Sequence, residues 1–174
     1  VLKPSEMTPV ATARFAELAN AILPPGVLNF VTGAAGSDVG PAMTGHPGIA
    51  KIVFTGSTAT GKRIMANASG NLMRLTLELG GNDAGIVLPD VDVKAIAPKL
   101  FGVTFPNNGQ TCACLKRLYG HESIYDELCG ELASLASNAV VGDGMNPDTQ
   151  LGPVQNAAQL AKVEELAEDA RAHG

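Results

Sequence analysis

The chain has 174 residues, 45% of them hydrophobic, which fits a globular class with a real core and excludes a disordered polymer. A formal net charge of −5 and twelve scattered Lys and Arg residues give none of the clustered basic surface that nucleic acid requires. Three cysteines, an odd number, build no disulfide framework and fit a reducing, cytoplasmic setting, while no apolar run approaches the roughly 18 residues needed to cross a membrane.

Short apolar runs alternate with helical patterns along the chain, which predicts parallel βαβ units. Val1 opens directly in a strand-like segment with no charged leader, and Val1-Leu2 ends a first strand. Thr8 is placed to cap a helix over 8–22, with Ala13, Ala16, Leu18 and Ala21 on its buried face. Residues 27–31 form the next strand, and Gly33, Gly36 and Gly40 mark a turn into a short helix ending near His46. A strand over 51–55 leads through Gly56-Ser57 to a helix ending near Ala68. Strands over 73–78 and 85–88 flank Gly80-Gly81, and a helix over 92–103 leads to a cysteine loop. A strand over 117–120, a helix over 123–140, a turn-rich loop over 143–148 and a polar helix over 156–173 complete the order. The domain boundary belongs at Gly80-Gly81, dividing the chain into 1–80 and 81–174.

Two short motifs carry the chemistry. Leu77-Glu78-Leu79-Gly80-Gly81 offers a carboxylate and Asn108-Gly109-Gln110-Thr111-Cys112 a thiol, each beside glycine backbone. A thiolate attacks a carbonyl carbon, and a carboxylate deprotonates the water that hydrolyses the resulting thioester. At these residues the chain resembles the NAD(P)-dependent aldehyde dehydrogenase superfamily, whose general-base glutamate lies in an E-L-G-G motif and whose catalytic cysteine follows a G-Q pair by two residues. The resemblance runs from Val1-Leu2-Lys3-Pro4-Ser5-Glu6 through Pro24-Pro25-Gly26-Val27-Leu28-Asn29 and Phe54-Thr55-Gly56-Ser57 to Leu151-Gly152-Pro153. Family members are more than twice as long, so the resemblance implies an internal segment of a larger enzyme.

The resemblance implies an α/β fold of aldehyde dehydrogenase type, with 1–80 as the later half of a Rossmann-type NAD-binding domain and 81–174 as the early half of the catalytic domain. Cys112 is then the nucleophile and Glu78 the base, oxidising an aldehyde to a free acid through a thiohemiacetal and a thioester. Lys3 and Glu6 match the pair that holds the adenosine ribose. A carboxylate at Glu6 repels a 2′-phosphate, so NAD is expected over NADP. Gly56 and Ser57 approach the cofactor pyrophosphate, and Gly36, Thr55, Leu79 and Gly80 complete the expected cofactor set. A homo-oligomer with a small aldehyde as substrate is implied. The family's second oxyanion donor, the glutamate that holds the nicotinamide ribose and the oligomerisation strand are expected outside these residues.

Each residue also has a plainer reading. Gly56-Ser57-Thr58-Ala59-Thr60-Gly61-Lys62-Arg63 nearly spells a triphosphate P-loop, but Arg63 stands where a magnesium-binding hydroxyl is required, leaving Lys62 and Arg63 as exposed helix residues. Lys3 and Glu6 also suit a surface turn before a helix, and Glu78 an exposed strand end. For Cys112 the alternative is a small buried hydrophobe. Its polar, turn-forming approach favours presentation of a thiolate, as the apolar neighbours of Glu78 favour a partly buried base. Cys114 is a small-residue position able to trap Cys112 oxidatively, and Cys129 packs within a helix. Cys112 and Cys114 with a histidine make only a weak zinc pattern. No role falls to His46, His121 or His173. A second hypothesis is a truncated, non-catalytic fragment or residual nucleotide-binding module.

Overall fold

A computed structural model describes residues 1–34 and 36–173. Ala35, part of the expected glycine-rich turn, and Gly174 lie outside the described residues. The chain divides into two compact units, Val1–Leu79 and Gly80–Gly174.

In the first unit, helix α1 (Pro9–Asn20) starts with proline, whose missing N–H costs nothing at a helix start. Thr8 stands at the cap position but makes no side-chain cap bond. Ser5 organises this turn instead, its carbonyl accepting from the Thr8 N–H at 3.2 Å and its Oγ from the Met7 N–H at 3.2 Å. Of the expected buried face Ala16 is buried and Ala13 half-buried, whereas Leu18 and Ala21 are exposed. Burial needs an opposing surface, and strand pairing ahead of the central strands is a single parallel bridge between Leu2 and Phe30. The two strands expected over 1–2 and 27–31 are reduced to that bridge.

Helix α2 (Val39–Gly45) ends at His46 as expected. Strand β1 (Lys51–Thr55), helix α3 (Thr58–Ala68) and strand β2 (Arg74–Glu78) form a βαβ unit in which β1 and β2 pair in parallel from Lys51 with Arg74 to Thr55 with Glu78. Ile64, Ala68 and Met73 supply the buried apolar side chains. Thr44 is buried between α2 and α3 with its hydroxyl satisfied twice, donating to the Pro41 carbonyl at 3.1 Å and accepting from Asn67 Nδ2 at 3.0 Å.

The second unit repeats the pattern. Strand β3 (Asp83–Val87), helix α4 (Val93–Thr104) and strand β4 (Leu115–Gly120) bring β3 and β4 into a parallel pair. Asp92 caps α4 by accepting from the Ala95 N–H at 3.1 Å. Helix α5 (Tyr125–Asn138) packs on α4, and Val87, Val93 and Leu128 form a core flanked by Leu100, Leu118 and Leu132. Cys129 is exposed, contrary to its expected packing, because Leu128 is the residue this face of α5 buries. Helix α6 (Ala157–His173) has no buried residue. Among the described residues no helix is long and apolar enough to cross a membrane.

Candidate active site

The carboxyl end of the β1–β2 pair collects five of the expected residues. Thr55 and Glu78 are register partners, and the Gly56 N–H donates to the Glu78 carbonyl at 3.0 Å. That bond turns the chain from β1 into α3. Ser57 caps the helix, its Oγ accepting from the Thr60 N–H at 3.2 Å and donating to Thr60 Oγ1 at 3.0 Å. Leu79 lies against α3 at Gly61, where an added Cβ would stand 2.9 Å from Leu79 Cδ2. Thr55, Gly56 and Ser57 are exposed at the start of α3, the kind of position at which helix N–H groups hold anions.

Glu78 itself is exposed at the end of β2, not partly buried as its apolar neighbours led us to expect. Leu77 and Leu79 are half-buried, but side chains alternate along a strand, so apolar neighbours on the opposite face give the carboxylate no cover.

Lys3, Glu6 and Gly36 lie on other segments of the same unit. Lys3 follows the Leu2–Phe30 bridge and is half-buried, its Nζ donating to the Pro4 carbonyl at 3.1 Å. Glu6 is exposed in the turn before α1. Gly36 takes φ +75°, a conformation that glycine adopts without a side-chain penalty.

Cys112 and Gly80 belong to the second unit. The cysteine is exposed, on a loop of unusual backbone: Asn107, Asn108 and Gly109 take φ values of 52°, 58° and 72°. Left-handed conformations cost about 1–2 kcal/mol per residue for ordinary L-residues, and Asn is the side chain that tolerates them best after Gly. Side-chain amides hold the run in place. Asn108 Nδ2 donates to the Gly152 carbonyl. Gln110 accepts at Oε1 from the Gln155 N–H at 2.9 Å and donates through Nε2 to the Asn107 carbonyl at 2.9 Å. The loop is thereby tied to the Leu151-Gly152-Pro153 segment. Cys114 is 1% exposed, its thiol 3.9 Å from the Pro106 carbonyl.

Gly81 meets the cysteine loop directly. A Cβ there would stand 2.8 Å from the Cys112 carbonyl oxygen, so only glycine allows this approach. A cleft of about 330 Å³ beside the loop is walled by Phe105, Val141, Val154 and Val163 with Asn108, Gln110 and Gln159, and of these amides Asn108 and Gln110 make the bonds above. Cys129 lies one helical turn from Tyr125, whose hydroxyl is pushed above its usual range chiefly by a hydrogen bond with that thiol. Among the described residues no group of three or more His, Cys, Asp or Glu side chains is placed to hold a metal ion.

Sequence reasoning missed the tie between the loop and residues 152 and 155, and the bonds from Lys116 Nζ to the Thr111, Cys112 and Cys114 carbonyls. The Asn-Asn-Gly run was the available signal for left-handed backbone.

The comparisons with known proteins converge. Residues 1–174 match the aldehyde dehydrogenase family. The chain is 47% identical over 161 residues to a protein of Pseudomonas sp named "Probable aldehyde dehydrogenase", covering 92% of this chain and 33% of that protein. Among solved structures, it superposes with a TM-score of 0.93 on a cysteine-to-alanine mutant of aldehyde dehydrogenase C from Pseudomonas syringae in complex with NAD+ and octanal, at 37% identity over 99% of this chain and 36% of that one. An E. coli NADP-dependent enzyme matches with the same TM-score at 39% identity, covering 99% of this chain and 36% of that one. The chain thus spans about a third of the length of these relatives. By sequence and fold alike, it belongs to the aldehyde dehydrogenase family.

Proposed function

We propose that this chain is the cofactor-holding and nucleophile-bearing segment of an enzyme that oxidises an aldehyde to a carboxylic acid with NAD. The observation that carries the reading is the exposed Cys112 on a loop whose left-handed approach and amide side chains are committed to holding it. Strained backbone of this kind persists where the surroundings over-determine it, and it gathers at functional sites. The Cys112 thiolate adds to the aldehyde carbon to give a thiohemiacetal, and the Cys112 N–H donates to the oxyanion that develops. The nicotinamide, when bound, supplies the acceptor for the hydride that leaves this adduct. Glu78 then takes a proton from water as the water oxygen attacks the Cys112 thioester, breaking the C–S bond to release the carboxylic acid and the free thiolate; the acid and Glu78 then give up their protons to solvent.

The cofactor reading is supported by exposed Thr55, Gly56 and Ser57 at the start of α3, suited to a pyrophosphate, and by Lys3 and Glu6, suited to a ribose. The Glu6 carboxylate favours NAD, since a 2′-phosphate brought beside it would be repelled. In a second reading, the 174 residues alone do not turn over. Large exposed apolar side chains favour it, among them Ile22 at 86%, Leu72 at 90% and Ile86 at 75%.

The test is reduced-cofactor formation by the whole enzyme that carries this segment, with NAD or NADP and a panel of aliphatic and aromatic aldehydes, beside Cys112→Ala. Turnover with NAD that falls by about 10³-fold or more in the variant is expected. Turnover that survives the substitution removes Cys112 from the mechanism, and NADP outperforming NAD removes the role given to Glu6. The same assay on the 174 residues alone decides the second reading.

A further inference from the structure

Lys116 occupies a place in β4 that the strand ladder does not use. Asp83 pairs with Leu115 and Ala84 with Arg117, so Lys116 is an extra residue without a partner on β3. A bulge of this kind re-aims the side chain it carries. Here the side chain turns back on the cysteine loop: Nζ lies 2.7 Å from the Thr111 carbonyl oxygen, 3.4 Å from that of Cys112 and 3.4 Å from that of Cys114. An ammonium has three N–H donors and no acceptor, so three carbonyls match its full capacity. The next residue works on the opposite side of the bulge, Arg117 Nε donating to the Asn82 carbonyl at 3.0 Å. One cation therefore holds the cysteine turn and the next holds the strand approach that follows Gly81.

We propose that Lys116 is a positioning residue whose ammonium locks the 111–114 turn, presenting the Cys112 thiol to substrate while keeping Cys114 in the core. Bonds from a charged donor are roughly twice as strong as neutral ones, and the 2.7 Å bond to the Thr111 carbonyl is one of these, with the Cys112 and Cys114 carbonyls at a longer 3.4 Å from the same ammonium. No N–H of the Lys116 ammonium is left for another partner. The hold on the turn stands on these bonds alone, and its consequence for catalysis rests on the reading of Cys112 as nucleophile.

The three cysteines of this segment allow a direct test on the whole enzyme that carries it. Iodoacetamide labelling, resolved by residue with mass spectrometry, is compared in the wild type, Lys116→Met and Lys116→Arg, with exposed Cys129 as internal reference. Cys114 is protected in the wild type, and its labelling relative to Cys129 is expected to rise about tenfold in Lys116→Met, while Lys116→Arg, which keeps a charged donor, retains protection. In turnover, kcat falls about 10–100-fold in Lys116→Met with KM unchanged, and arginine restores most of it, as expected for a misplaced nucleophile. Equal protection of Cys114 in wild type and Lys116→Met overturns the proposal, as does equal loss in both variants. If Lys116→Met fails to fold, Lys116→Arg decides: wild-type protection and kcat support the lock, and their loss overturns it. A wild type without turnover overturns the dehydrogenase reading alone, because the labelling still reports on Lys116.

Discussion

The β1–α3–β2 unit and the β3–α4–β4 unit share an architecture, two parallel strands joined by a crossover helix, yet the chain around each is held by different means. At the first, backbone does most of the work: the Gly56 N–H bonds the Glu78 carbonyl and Ser57 caps α3, leaving a smooth, exposed turn. At the second, a bulge interrupts the ladder, and Asn108, Gln110 and Lys116 tie down a loop of left-handed residues. A turn that receives an anion needs free N–H groups and little else. A loop that presents a nucleophile must keep one thiol in one place, which takes side-chain bonds to overrule the local backbone preference.

The sharpest way to break this contrast is to substitute Glu78, the proposed base. Glu78→Gln keeps the shape of the β2 end and removes the proton acceptor, so steady-state turnover is expected to fall about 10²–10⁴-fold. A first-turnover burst of NADH should persist, since acylation of Cys112 precedes the hydrolytic step. Loss of the burst as well, in stopped-flow measurements, would put Glu78 in the earlier step and end its assignment as the hydrolytic base.

A smaller effect is expected where the last glycine of the Leu-Glu-Leu-Gly-Gly motif touches the cysteine loop. Gly81→Ala drives a methyl group into the Cys112 carbonyl oxygen and the Asp83 carboxylate, each 2.8 Å from the new carbon. Overpacking of this kind costs about 1–3 kcal/mol, readable as a lowered denaturation midpoint at unchanged slope. An unchanged midpoint would show that the loop gives way freely, contradicting the rigid hold described for it.

The smallest effect belongs to the backbone-built turn. Ser57→Ala removes the cap of α3 and is expected to cost about 1 kcal/mol in stability. If Ser57 also faces the cofactor, the Kd for NAD rises several-fold while NADH burst amplitude at saturation holds. A stability loss with unchanged NAD affinity would leave Ser57 as a cap alone.

Much of this molecule was legible in its amino-acid order. The strand over 51–55 and the short helix ending near His46 coincide with β1 and α2, because a strand bounded by glycine and a helix stopped before Pro47 are local decisions. The pairing of a glutamate in Leu-Glu-Leu-Gly-Gly with a cysteine two residues after Gly-Gln sufficed for the family. Burial was another matter. Leu18 and Ala21 have helical spacing but no opposing surface, Cys129 yields the buried face of α5 to Leu128, and Glu78 stands in the open between half-buried leucines.

Tertiary structure alone decided those burials, the bulge at Lys116 and the bonds from Asn108 and Gln110 to residues 152 and 155. The reason is one of range. Turn chemistry, capping and hydrophobic period act over a few residues, so they can be read from order alone. Register, burial and a side chain's distant partner depend on which surfaces meet after folding, and an interval of some forty residues carries no local trace of that meeting.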